Sequence, residues 1–172
     1  MLMWFIYSSI FVLAFVVCGS AINVPKKRFE IELSQNDEME TPWLITVTLT
    51  ALEDVTIHPF NSPFDESFAC KHFQVKGKNG NLLKNYAPMV KRVPPKDEDY
   101  LTIQTGEQHV KEVDLSACFS FKPGIEYQIY IESKITTKKD DKVDKIALNA
   151  PALTFQTDKE TIHPRVSIIH IY

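Results

Sequence analysis

The side chains best suited to catalysis or metal binding in this chain of 172 residues are its histidines and cysteines. The histidines are scattered along the sequence, at His58, His72, His109, His163 and His170. A zinc hydrolase commonly places two histidines one helical turn apart with a glutamate between them, and no His-Glu-x-x-His occurs here. His109 and Glu112 are three residues apart, so on a β-strand they face opposite sides and cannot share a metal ion. We therefore predict no metal and no cofactor.

The cysteines are more readily explained by a disulfide than by catalysis. Nucleophilic catalysis needs a serine or cysteine beside a base and an orienting carboxylate, and the sequence has no nucleophile-elbow or Cys-His signature. Cys18 lies in an apolar N-terminal segment, which leaves Cys70 and Cys118. In an oxidising compartment this pair predicts one disulfide, worth roughly 4 kcal/mol of stability on the chain-entropy model. Two free thiols are the alternative, and in either case we predict no catalytic residue and no enzyme.

Two acidic runs could supply oxygen ligands to calcium. They are residues 97–99, Asp-Glu-Asp, and residues 140–144, which contain three aspartates with an interleaved lysine. Neither run has the spacing of a known calcium loop, which favours solvated loops. Trp43, the only tryptophan after the N-terminal segment, follows Pro42 and is expected to pack in the core or at its rim.

Residues 1–21 contain no charged residue and no histidine, and they predict a signal peptide. The apolar run is short for a membrane span, and the small residues Gly19, Ser20 and Ala21 predict cleavage after Ala21. The basic run at residues 26–28 leaves an uncleaved anchor as the alternative. After cleavage we expect a secreted, extracellular protein with no membrane span. The 19 basic and 22 acidic residues give a net charge of −3 without a basic stripe, so no nucleic acid is expected as a partner.

The elements that would position these side chains are β-strands, because apolar residues recur with period two and helical periodicity is nearly absent. Residues 100–103 predict a strand, Thr105-Gly106-Glu107 a turn, and Val110, Val113 and Leu115 a return toward the core. The fold class expected is all-β, a two-sheet antiparallel Ig-like β-sandwich of eight or nine strands over residues 22–157, with a tail or edge strand at 158–172. Other strands are predicted at residues 29–33, 44–50, 55–60, 68–75, 82–86 and 88–93, and residues 136–145 are predicted as a charged hairpin connection. Apolar residues between 119 and 131 are expected to add to the core on both sides of Lys122-Pro123-Gly124, and residues 146–157 to end the domain with Leu153 and Phe155 alternating.

An ordered series of short motifs resembles a known domain. The series includes NSPF at 61–64, YAPMVKR at 86–92, VDLS at 113–116 and FSFKPGIEY at 119–127. In this order they resemble the non-catalytic N-terminal β-sandwich of deuterolysin-type and peptidyl-lysine metalloendopeptidases, the aspzincins. The resemblance covers residues 28–135. Ala87, Thr105 and Phe119-Ser120 depart from the family pattern, and the His-Glu-x-x-His of the family's catalytic domain is absent, so no catalytic residue is carried over.

The resemblance implies an accessory or pro-domain that packs on a protease and assists its folding or restrains its activity. We expect a non-enzymatic module that binds another extracellular protein, such as a protease. An exposed sheet edge or the apolar C-terminal tail would pair with a strand of that partner. The tail residues proposed for this contact are Val166, Ile168, Ile169, Ile171 and Tyr172. The alternatives are an extracellular module that binds sugar or lipid, and a catalytically dead fragment of a secreted metalloprotease.

Overall fold

The structure, a computed structural model, describes residues 27–35, 41, 43–60, 62–67, 69–89, 94–139 and 142–160. These residues form ten strands and three short 3-10 helices. The strands are β1 (Phe29–Gln35), β2 (Leu44–Ala51), β3 (Val55–His58), β4 (Phe73–Gly77), β5 (Leu101–Ile103), β6 (Gln108–Asp114), β7 (Ile125–Ile131), β8 (Ser133–Lys139), β9 (Lys142–Leu148) and β10 (Leu153–Thr157). The 3-10 helices are Ala69–His72, Asp97–Asp99 and Leu115–Ala117.

The first sheet contains β1, β2 and β6 in that order, with both pairs antiparallel. Its strands follow the period-two pattern that the sequence predicts. In β1 the side chains of Phe29, Ile31 and Leu33 are buried, while Glu30 and Glu32 are exposed. The β-branched residues of β2 suit a pleated surface of this kind, which explains why this stretch extends rather than coils.

The other layer is built from two antiparallel sheets, and the chain passes directly from one to the other between β7 and β8. Their strand orders are β5-β3-β8-β9 and β10-β7-β4. Only Glu132 separates β7 from β8, and its N–H bonds to the carbonyl of His72 at 3.0 Å, which extends the β4–β7 pairing by one residue. The predicted second sheet is therefore present as two hydrogen-bonded segments that meet at Glu132.

One hydrophobic core lies between the layers and includes buried residues from every described strand. β6 contributes Val113, and β9 contributes Leu148 near its end. Phe121 is fully buried within it, and its ring centroid lies 5.1 Å from Tyr127 and 5.3 Å from Phe155. Trp43 stacks on Phe121 at 6.4 Å from a partly buried position, as expected of a rim residue. Burying one such aromatic side chain stabilises the fold by about 2–3 kcal/mol. The predicted all-β antiparallel sandwich is confirmed.

The predicted strand at residues 68–75 is wrong in its first half. Ala69–His72 form a 3-10 helix, and β4 begins only at Phe73. Both Ala69 and Cys70 are buried, although a strand would place these neighbours on opposite faces. The tight helical turn therefore allows consecutive residues to face the interior.

The predicted hairpin partner at residues 82–86 is reduced to a single bridge. Leu82 pairs with Lys76, and the Leu83 N–H donates to the Val75 carbonyl at 2.8 Å. Farther along, the Tyr86 N–H bonds to the Cys118 carbonyl at 2.9 Å, which draws the chain away from β4. Of the edge strand predicted at residues 88–93, positions 88 and 89 are not in a strand, and the others lie outside the described residues.

Two further predictions about the second half of the chain are wrong. Val110 was predicted to face the core, but it is 52% exposed because His109, Lys111 and Val113 occupy the inward positions of β6. The predicted connection at residues 136–145 is mostly strand, since β8 extends to Lys139 and β9 starts at Lys142. Its lysines occupy exposed or half-buried positions of the two strands, so charge alone does not indicate a loop.

Candidate partner-binding surface

The side chains that could do chemistry are dispersed in the structure. Buried His58 in β3 lies beside the ring of Phe60, with centroids 4.6 Å apart, whereas His72 ends a 3-10 helix. Within the described ranges, no three His, Cys, Asp or Glu side chains are grouped so that they could hold a metal ion. His163 and His170 lie outside those ranges.

His109 and Glu112 lie on opposite faces of β6, as their spacing predicts. Glu112 is exposed, while His109 faces inward, with its ring centroid 5.1 Å from that of Phe64. Burial lowers the pKa of the His109 imidazole, and the positive charge of Lys111 lowers it further. Both effects favour the neutral form of the imidazole, as suits a packing residue.

Cys70 and Cys118 form the predicted disulfide, with their Cα atoms 5.9 Å apart. Cys70 lies in the 3-10 helix before β4, and Cys118 directly follows the 3-10 helix that ends β6. Both are buried. The bond consequently links the segment before β4, in the second layer, to the segment after β6, in the first layer.

Two carboxylates of the first acidic run already have partners within the protein. The Asp99 carboxylate accepts from the Lys96 N–H at 2.8 Å, and the Asp97 carboxylate contacts the Lys138 ammonium at 2.9 Å. In the second run, Asp144 is exposed on β9, opposite Thr137, and residues 140 and 141 lie outside the described part. Solvent-exposed ion pairs of this kind contribute little to stability.

A feature that the strand predictions did not locate is the free edge of β1. The Arg28 carbonyl accepts from the Leu52 N–H at 2.9 Å, which fixes the alternation of hydrogen bonds between β1 and β2. Positions 28, 30 and 32 therefore direct their backbone groups toward β2, while Phe29, Ile31 and Leu33 direct theirs away from it. No other strand in the described part of the chain pairs with β1 on that side. We call the outward N–H and C=O groups of Phe29, Ile31 and Leu33 the β1 edge.

A groove of about 380 Å³ lies along this edge. Phe29 and Ile31 of β1 line it, together with Ile146 and Ala147 of β9. The groove thus runs between one strand of the first sheet and one strand of the other layer. An extended segment placed there would meet apolar side chains below and backbone donors and acceptors beside it.

Arg28 fixes the start of β1 against the other layer. Its Nε donates to Glu53 Oε1 at 2.7 Å, and its Nη1 donates to Thr137 Oγ1 at 3.2 Å. The Arg28 and Glu53 side chains are 14% and 22% exposed, so this ion pair is better shielded than those on the surface. The β1 edge is therefore held in place before any partner arrives.

The outer face of the first sheet carries charge of one sign. Glu30 and Glu32 of β1 and Glu112 and Asp114 of β6 point outward, and threonines of β2 lie between them. No Lys or Arg occupies an outward position of these three strands. The face beside the β1 edge is consequently acidic.

The predicted signal peptide at 1–21 and the tail residues Val166, Ile168, Ile169, Ile171 and Tyr172 lie outside the described residues. In the ranges that are described, no helix has the length and apolar character needed to cross a bilayer. The free edge could have been suspected from the sequence of β1, which has no proline or lysine inside it. Its lack of a neighbour could not have been read from the sequence.

Comparison with known proteins adds no family. The chain matches no protein-family model, and no curated protein matches it significantly in sequence.

Proposed function

We propose that this protein is a secreted, non-enzymatic β-sandwich that works by binding another extracellular protein. The observation that carries the proposal is the β1 edge. It belongs to a regular strand of seven residues and is bordered by an apolar groove. An edge without a strand partner is a template for a strand from another chain. The disulfide and the uncharged N-terminal segment support secretion.

β1 suits this role better than the other edge strands of the described chain. β6, the opposite edge of the same sheet, is also seven residues long, but it carries Lys111 and contacts the 3-10 helix Ala69–His72. β9 is also seven residues long, but its exposed start carries Lys142, Asp144 and Lys145, which discourage a second strand. β4 already bridges to Leu82 on one side. β10 has only five residues and follows Pro151 closely.

The partner we propose is a protease, which this domain would restrain or assist. The support is the resemblance of residues 28–135 to the accessory sandwich of aspzincin metalloendopeptidases. The tail residues 166–172 are a second proposed contact, because they are mostly apolar, are rich in β-branched residues and follow Pro164. Both contacts would act by strand pairing.

The test is quantitative binding with the full chain and a shortened chain. Residues 22–172 and residues 22–159 would be immobilised, exposed to the secretions of the source organism, and their ligands identified by mass spectrometry. The purified ligand should bind saturably with a micromolar or lower Kd, and a protease ligand should lose or change activity in proportion to complex formed. Equal affinity for both chains would remove the tail as a contact, and the absence of saturable binding would contradict the proposed function.

A second candidate function, binding of an amphipathic carboxylate such as a fatty acid, is favoured by one observation. Arg28 lines the apolar groove, and its buried Nη2 has no hydrogen-bond acceptor among the described residues. A fluorescent fatty acid should then bind with one-to-one stoichiometry, and Arg28→Gln should weaken the binding. Replacement of Lys142, which does not line the groove, is the matched control. Equal binding by the two variants would exclude this site.

A further inference from the structure

We propose that the β1 edge receives an extended segment of the partner in which apolar side chains alternate with lysine or arginine. This inference rests on the proposed function and specifies the chemistry of the segment. Three features of β1 carry it: the phase of its free backbone groups, the groove on one side, and the acidic face on the other. Each feature constrains a different part of the incoming strand.

The backbone phase sets where the incoming strand bonds. Phe29, Ile31 and Leu33 each direct an N–H and a C=O outward, so an added strand can form its ladder with every second residue of β1. As whole residues these three are 5%, 6% and 8% exposed, so their side chains are closed into the core, and no described strand pairs with their outward backbone groups. The ladder itself is independent of sequence and supplies affinity rather than specificity.

The groove selects apolar side chains on the inward positions of the added strand. These side chains would point in the same direction as those of Phe29 and Ile31 and would cover the groove shared with Ile146. Burial of apolar surface contributes about 25 cal/mol per Å². A polar side chain at these positions would lose its hydration without gaining a partner, which disfavours it.

The acidic face selects basic side chains on the outward positions. The outward neighbours of the new strand would be Glu30 and Glu32, both exposed. Directly opposite residues of unlike charge stabilise a strand pair by roughly 0.2–1 kcal/mol, and like charges destabilise it. The Lys27 ammonium already contacts the Glu30 carboxylate at 3.1 Å. We therefore expect the carboxylate of Glu32 to contribute most to the attraction of a basic side chain on the incoming strand.

The chain's own tail fits this pattern less well than a partner segment does. Ile168 and Ile169 are adjacent, so a tail strand would place one isoleucine outward beside an acidic residue. Of the residues from 165 to 172, only Arg165 carries a permanent positive charge. The tail remains the competing occupant, and the experiment separates the two.

The first measurement uses two labelled peptides with alternating valine, one with lysine and one with glutamate at the other positions. Fluorescence anisotropy with the full mature chain should give at least about tenfold tighter binding of the lysine peptide at low salt, and this preference should decrease as salt rises. Glu32→Lys should weaken binding of the lysine peptide about fivefold. Glu112→Lys, which changes an exposed glutamate on the same face but at the far edge of the sheet, should change it by less than about twofold.

The second measurement is amide hydrogen exchange, which reports the ladder directly. Binding of the lysine peptide should slow exchange at Phe29, Ile31 and Leu33 and leave Glu30 and Glu32 unchanged, because those two already bond to β2. Uniform protection across β1, or none, would overturn strand addition. Protection of the same three amides in the free full chain, lost when residues 160–172 are removed, would assign the edge to the tail and overturn the partner version.

Failure of this inference can be distinguished from failure of the proposed function. A captured natural partner that binds wild type and Glu32→Lys equally, without protecting the β1 amides, would overturn this inference and leave protein binding intact. Failure of any partner to bind saturably would instead contradict the proposed function. Displacement of the peptide by a fatty acid, with no effect of Glu32→Lys, would favour the lipid site.

Discussion

At the scale of single residues, His109 shows how this fold uses a side chain that could do chemistry. Its imidazole packs against Phe64 on the inward face of β6, and Lys111 lies two residues away on the same face. Burial and then the Lys111 charge lower its pKa below the usual 6.5. The imidazole is thus a neutral packing group whose protonation opposes folding.

Stability is therefore expected to fall as the pH decreases from about 6.5 toward the lower pKa of folded His109. The sign follows because unfolded His109 binds its proton first, so acid favours the unfolded chain until the folded imidazole is also protonated. His109→Gln should reduce the loss of Tm between pH 7.5 and pH 5. Lys111→Gln should reduce it partially, because it removes only the second cause. An unchanged pH dependence in His109→Gln would show that another group controls it.

At the scale of elements, the turn between β5 and β6 carries the chain from one layer to the other. Asp54 accepts from both the N–H and the hydroxyl of Thr105 at 2.8 Å, and these bonds lower the pKa of Asp54. Gly106 has a φ of 83°, and its N–H donates to the Ala51 carbonyl at 2.8 Å. The turn consequently anchors the end of β5 to the loop before β3, while β6 pairs with β2.

Gly106→Ala should lower the free energy of unfolding by about 1–2 kcal/mol, because a residue with a Cβ is strained at positive φ. No heavy atom lies within 4 Å of the added Cβ, so the cost is that of the backbone conformation alone. Gly77→Ala is the matched control, since Gly77 lacks a positive φ and its added Cβ would meet only Leu83 at 4.0 Å. Urea denaturation measures both variants, and equal losses would contradict the assignment of strain to Gly106.

At the scale of the whole molecule, the disulfide joins parts of the fold that are distant in sequence. The Cys70–Cys118 loop spans a sequence separation of 48 residues and includes β4, β5 and β6, which belong to three different sheets. The bond therefore restricts the unfolded chain strongly while leaving both buried sulfur atoms within the core.

Replacement of both Cys70 and Cys118 by alanine should lower the free energy of unfolding by about 4 kcal/mol. A domain of this size has a total stability of about 5–15 kcal/mol, so the variant should lose roughly a quarter or more of that stability. Chemical denaturation with and without reductant is the measurement. Wild type should lose stability when reduced, and the double variant should not respond; a small loss in the variant would contradict the loop-closure argument.

The sequence by itself determined which side of each strand faces the interior over much of the chain. Alternation correctly assigned the buried positions of β1 and the separation of His109 from Glu112. It also indicated the cysteine pair, because only two cysteines follow the N-terminal segment. These properties are local or compositional: the period of side-chain directions is fixed by backbone geometry, whatever the neighbouring strand is.

Only the tertiary structure decided which strands are neighbours. β5 and β6 are joined by a tight turn, yet β5 pairs with β3 and β6 pairs with β2. The same non-local pairing leaves Val110 outside and gives β1 a partner on one side only, and local packing turns Ala69–His72 into a 3-10 helix. Alternation encodes the face that a strand buries but not the strand beside it, because backbone hydrogen bonds are the same for every sequence. The position of the free edge, and with it the proposed binding site, therefore depends on contacts between residues that are far apart in the chain.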